Sequence, residues 1–107
     1  MEDREEYVRY RQDRTVLASI GAHLDPRIGQ IRVRLPRSVA ESAVAAWDRE
    51  ELGRVGEESR EEYELRHAAA ELAFIGLAIS SHGVWDGEEV VVDLDVVQIA
   101  AALQAAR

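Results

Sequence analysis

Ile31-Arg-Val-Arg-Leu-Pro-Arg-Ser-Val-Ala-Glu-Ser-Ala-Val-Ala-Ala-Trp47 carries two periodicities in succession. Ile31, Val33 and Leu35 alternate with Arg32 and Arg34, the period of two that marks a strand with one buried face. Past Pro36 the period lengthens. Ala40, Ala43, Val44 and Trp47 fall at steps of three and four and share one face of a helix. The stretch predicts a strand over 31–35 and a helix from about Ser38 to Leu52, stopped by Gly53.

Outward from it, the same switch recurs. Glu89-Val-Val-Val-Asp-Leu94 is β-branched and follows the turn-like Trp85-Asp86-Gly87, so a second strand is expected there. Asp95 then opens a helix rich in Ala that runs to the end of the chain. A first helix is expected from about Asp3 to Leu24, with Tyr7, Tyr10, Arg14, Leu17, Ile20 and Leu24 on one face and Asp25-Pro26 ending it. A third runs from about Ser59 to Ser81. Its second half, Ala68 to Ile79, is apolar except for Glu71, so it reads as the most buried element. All four helix starts have a capping-box shape: Asp3-x-x-Glu6, Ser38-x-x-Glu41, Ser59-x-x-Glu62 and Asp95-x-x-Gln98. Residues 53–58 read as a linker.

The two halves match in order. Arg4-Glu-Glu-Tyr7 recurs as Arg60-Glu-Glu-Tyr63, and Leu17-Ala-Ser-Ile-Gly21 as Leu72-Ala-Phe-Ile-Gly76. Val33-x-Leu35 recurs as Val92-x-Leu94. The expected fold class is therefore α+β, mostly α: two duplicated helix–strand–helix units, about 3–52 and 59–107, in a single domain over 1–107. Units this short cannot bury their own apolar faces. They should pack about a pseudo-two-fold axis, which makes their two strands an antiparallel ribbon.

Composition narrows the function classes. Of 107 residues, 13 are basic and 21 acidic, a net charge of -8. Such a chain is repelled by nucleic acid and by anionic membranes. Cys is absent, which excludes disulfides and thiolate metal sites. Every basic residue is Arg and Asn is absent too; Lys and Asn have A-rich codons, so a high-GC bacterial genome is inferred. No apolar run reaches the roughly 20 residues of a membrane span. MEDREEYVRYR lacks the layout of a secretion signal, and the expected location is cytoplasmic.

The quoted stretch resembles the strand and first helix of ribbon-helix-helix repressors, which show an alternating strand, Leu-Pro and an amphipathic helix. The resemblance implies antiparallel pairing of two such strands, with outward strand side chains entering the DNA major groove. Arg32 and Arg34 would then be the base-reading positions. It also implies a circularly permuted single-chain pseudo-dimer. Charge argues otherwise. If Val33 lies opposite Val92, Arg32 faces Asp93 and Arg34 faces Val91. Residues 86–95 hold Asp86, Glu88, Glu89, Asp93 and Asp95 with no base; residues 27–37 hold Arg27, Arg32, Arg34 and Arg37 with no acid. Mutual neutralisation is the expected outcome.

Chemistry-bearing motifs are scarce. His23, His67 and His82 lack metal-ligand spacing and read as surface or helix-end groups. There is no Gly-x-Gly-x-x-Gly, P-loop or nucleophile elbow. No catalytic, cofactor or metal residue is assigned, and an enzyme is not expected. Trp47 is expected in the core. Trp85 either caps the helical layer or stands exposed as a partner contact. The candidate interaction residues are Arg32, Arg34, Asp93 and Trp85. The expected function is an acidic protein-interaction module forming a homodimer, through open ribbon edges and the Ala-rich face of the last helix. The alternative is a ribbon-helix-helix-like DNA-binding regulator.

Overall fold

The computed structural model describes residues 2–24, 32–49 and 59–107, with side chains from Tyr7 onward in the first segment. Four helices and three strands follow one another: α1 (Glu2–Ala22), β1 (Arg32–Pro36), α2 (Arg37–Asp48), α3 (Arg60–His82), β2 (Val84–Asp86), β3 (Glu89–Asp93) and α4 (Val96–Ala105). The protein is α+β and mostly helical. Its strands form one antiparallel sheet in the order β1-β3-β2.

The two strands anticipated from alternation are both present, and their register places Val33 opposite Val92. Arg32 lies opposite Asp93, and Arg34 opposite Val91. Because side chains alternate, Val33, Leu35, Val90 and Val92 all point inward, and each is fully buried. The ribbon is not two-stranded, however. Trp85 and Asp86, read with Gly87 as a turn, lie instead in a third strand, Val84 to Asp86, that hairpins onto β3, with Trp85 opposite Val90 and Asp86 opposite Glu89. Gly87 sits at φ 63°, the left-handed conformation that a two-residue hairpin loop needs at its first position.

The helices pack on the inward face of the sheet. Leu17 and Ile20 of α1, Leu72 and Ile75 of α3, and Leu94 are all buried in one core with the strand valines. Burying one such side chain contributes about 1.5–3 kcal/mol. A smaller cluster of Tyr10, Leu65 and Ala69, with Tyr7 against it, joins α1 to the first half of α3. Arg14 departs from its expected place on the buried face of α1 and is exposed. Asp13 is buried instead, bonded by Arg49 at 3.0 Å, which ties α1 to the end of α2.

Two helix crossings are tight enough to require glycine. At Gly76 of α3 a Cβ would lie 2.0 Å from the carbonyl oxygen of Ala43 in α2. At Gly21 of α1 a Cβ would lie 2.1 Å from the carbonyl oxygen of Ala102 in α4. Ala102 of α4 is thus used inside the molecule, where α1 packs, while Ala100 stays exposed.

Helix starts follow local chemistry. Ser59 and Asp95 form the capping boxes read from the sequence, with Glu62 and Gln98 completing them. Ser38 does not cap α2. That helix begins at Arg37, with Pro36 as N-cap and no side-chain cap. The β2–β3 hairpin supplies acceptors in place of a capping side chain. The Arg37 amide donates to the Glu88 carbonyl at 2.7 Å, and the Arg37 guanidinium donates to the Gly87 carbonyl at 2.9 Å. The Asp3 box, the Asp25-Pro26 stop, Arg27, Ile31, Gly53 and the linker over 53–58 lie outside the described side chains.

Candidate functional site

Strand alternation turns Arg32 and Arg34 of β1, Glu89, Val91 and Asp93 of β3, and Val84 and Asp86 of β2 to the outward face of the sheet. Arg32 donates to Asp93 through Nε at 2.8 Å and Nη2 at 3.4 Å. Arg34 Nη1 donates to Asp86 at 3.1 Å and to Glu89 at 3.4 Å. The face thus sets two arginines against three carboxylates. The hydrogen bond from Arg32 holds the Asp93 carboxyl below its ordinary pKa. Reciprocally, the bond to Asp93 raises Arg32, and the bond to Asp86 raises Arg34. Asp93 as partner of Arg32 was legible from charge patterning. The partners of Arg34 were not, because Asp86 reaches it only through a strand that alternation does not reveal.

Trp85 is on β2, on the side of the sheet that faces the helices. It borders a cleft with Glu41, Val44, Ala45 and Ile79, and the Arg37 guanidinium lies 4.5 Å from its ring centroid. It remains 41% exposed. The other tryptophan, Trp47, packs beside the core with Phe74 at a centroid distance of 6.3 Å.

A further surface was not foreseen. An open groove runs between the second half of α3 and the start of α4. Its floor is Phe74, Leu77, Ala78, Leu94 and Val97, and its rim includes Glu71, Asp93, Asp95 and His82. Phe74 belongs to the apolar run read as the most buried element, yet it is itself 41% exposed. Val97 in the groove and its neighbour Val96 are 64% and 78% exposed. One available signal was Ser19, which occupies the place of Phe74 in the matching Leu17-Ala-Ser-Ile-Gly21 motif.

The histidines stand apart. His67 stacks on Tyr63 and lies 3.9 Å from Glu71, while His82 in the last turn of α3 contacts the Asp93 carbonyl. Among the described residues no three His, Asp or Glu side chains converge on a point, and no helix is long and apolar enough to cross a membrane. No family model, curated protein or solved structure matches this chain.

Proposed function

We propose that the chain is a protein-interaction module built on an internally duplicated core, whose outward sheet face is neutralised within the molecule. The observation that carries this reading is the pairing of Arg32 with Asp93 and of Arg34 with Asp86 and Glu89. DNA binding draws its free energy from releasing counterions as cations replace them on phosphates. Arginines already matched by a carboxylate excess on the same face supply little of that. A net charge of -8 adds long-range repulsion.

Support for duplication comes from which residues play equal parts. Gly21 and Gly76 make the two close crossings, against Ala102 and Ala43. Those alanines are offset by 59 residues, as are Val33 and Val92, Leu35 and Leu94, and the N-caps Pro36 and Asp95. Each long helix packs on the short helix of the other unit. The pairing of Arg32 with Asp93 and Arg34 with Val91 is what a two-fold axis between Val33 and Val92 requires.

The second reading is a ribbon-helix-helix-like regulator, favoured by antiparallel strands with Arg32 and Arg34 at outward positions. A salt series of duplex DNA binding separates the two. The interaction reading expects no binding at physiological salt and specific retention of a protein on the immobilised chain. Tight, salt-dependent DNA binding that requires Arg32 and Arg34 would replace it with the regulator.

A further inference from the structure

The duplicated core provides an internal control for what folding demands. Resting on the duplication and interaction reading above, equivalent positions in the two units are 55 residues apart in the second halves of the long helices and 59 apart in the strands and short helices. Core positions keep their character: Leu17 and Leu72, Ile20 and Ile75, Leu24 and Ile79, Val33 and Val92, and Leu35 and Leu94 are all buried. The groove positions and the adjoining Val96 do not. Phe74, Leu77, Val96 and Val97 of the second unit correspond to Ser19, Ala22, Arg37 and Ser38 of the first. The first unit makes the same helix crossing and strand pairing with small and polar residues at these places. Phe74 is covered in part by Trp47, but Val96 and Val97 are mostly exposed, and leaving them in water costs hydration free energy.

We propose that the α3–α4 groove is a docking site for an amphipathic helix of a partner protein, with basic residues flanking its apolar stripe. The groove extends from Glu71 to His82 along α3, about three helical turns or roughly 16 Å. Both long walls are helices, whose backbone groups are bonded internally, so an extended peptide gains no strand to pair with. Side-chain anchors at i, i+3 or i+4, and i+7 are what such a trough accepts. Its rim carries Glu71 and Asp95, with Asp93 already bonded to Arg32, and among the described residues no arginine lines it, which favours a cationic flank. A second copy of this chain is a poor fit. A second copy would bring its own net charge of -8 against an acidic rim, which opposes that pairing.

The test is an NMR titration of the full ¹⁵N-labelled chain with three designed helical peptides. One has a Leu stripe with Arg flanks, one the same stripe with Glu flanks, and one the Arg composition with the stripe scrambled. The Arg-flanked peptide should bind saturably, with shifts centred on Phe74, Leu77 and Val97, at least tenfold tighter than either control. Phe74→Ser and Val97→Ser, which install the residues of the other unit, should each weaken it tenfold or more. Val97 is exposed, so its variant keeps the test alive should Phe74→Ser fail to fold. Absence of saturable binding, equal binding of the Glu-flanked peptide, or shifts confined elsewhere overturns the inference. So does a dimer in sedimentation that Val97→Ser dissociates, because the occupant is then a second copy. A protein retained on the immobilised chain equally well by Val97→Ser leaves the interaction reading standing and removes the groove.

Discussion

Gly76 and Ala43 cross so closely that a single methyl group on Gly76 would meet the Ala43 carbonyl oxygen at 2.0 Å. The obstacle is backbone, which cannot swing aside as a side chain does. Replacing glycine by alanine inside a helix ordinarily gains about 1 kcal/mol of propensity. Here the steric penalty outweighs it, since overpacking alone costs about 1–3 kcal/mol even where neighbours can shift. Gly76→Ala and Gly21→Ala are each expected to lose at least about 2 kcal/mol in urea unfolding. Two losses of similar size are the expected mark of equivalent crossings. Gly87→Ala has open space around it and should lose only the about 1–2 kcal/mol of a left-handed backbone.

Helix starts provide a second test with a built-in control. Ser59→Ala removes the acceptor for the Glu62 amide and should cost about 1 kcal/mol. Ser38→Ala has the same sequence context, Ser-x-x-Glu, but no capping role, and should stay within about 0.5 kcal/mol of the parent. Thermal melts of the two variants side by side decide whether α2 starts at Arg37.

Acid should weaken the sheet face in a defined direction. The folded-state pKa of Asp93 is depressed by Arg32, so its contribution to stability is present above the unfolded carboxylate value of about 4 and is lost as pH falls through the folded value. The stability difference between the parent and Asp93→Asn should be constant from pH 7 to about 5 and should shrink below about pH 4. Urea midpoints across that range measure it, and a difference that grows in acid contradicts the pairing.

Nucleic-acid binding should be latent and shallow. The unmodified chain is expected to give no duplex-DNA anisotropy change at physiological salt. Replacing Asp86, Glu89 and Asp93 by Ala brings the net charge from -8 to -5 and leaves Arg32 and Arg34 unmatched. Each neutralised phosphate contributes about -0.9 to the slope of log affinity on log salt, so binding by this variant should have a slope no steeper than about -1.8.

Much of the fold was legible because burial imposes period on sequence. The alternation in 31–35 and 89–94 and the ladder from Tyr10 through Leu17 and Ile20 to Leu24 all report one buried face. The recurrence of Val33-x-Leu35 as Val92-x-Leu94 set Val33 opposite Val92, and that register puts Arg32 beside Asp93. What stayed hidden had no such period. Three residues, Val84-Trp-Asp86, are too few to show alternation, and their pairing depends on Gly87 folding the chain back onto β3. The cap of α2 was hidden because the Glu88 carbonyl that receives the Arg37 amide is distant in sequence. The exposure of Phe74 was hidden because an unbroken apolar run carries no phase: it cannot tell which of its members faces out.

The crossing of Gly21 with Ala102 joins positions 81 residues apart (102 less 21), and this sets an order on how the chain acquires its shape. At about 5–20 residues per second on the ribosome, Gly21 emerges roughly 4–16 s before the α4 backbone that it crosses exists. Through that interval Leu17, Ile20 and Leu24 have no α4 to shield them. By contrast α2 and α3, neighbours in sequence, can meet early. Closure of α1 onto α4 is the expected last event in folding, and a ribosome-arrest series that moves α4 past the exit port should make it visible as a late gain in protease resistance.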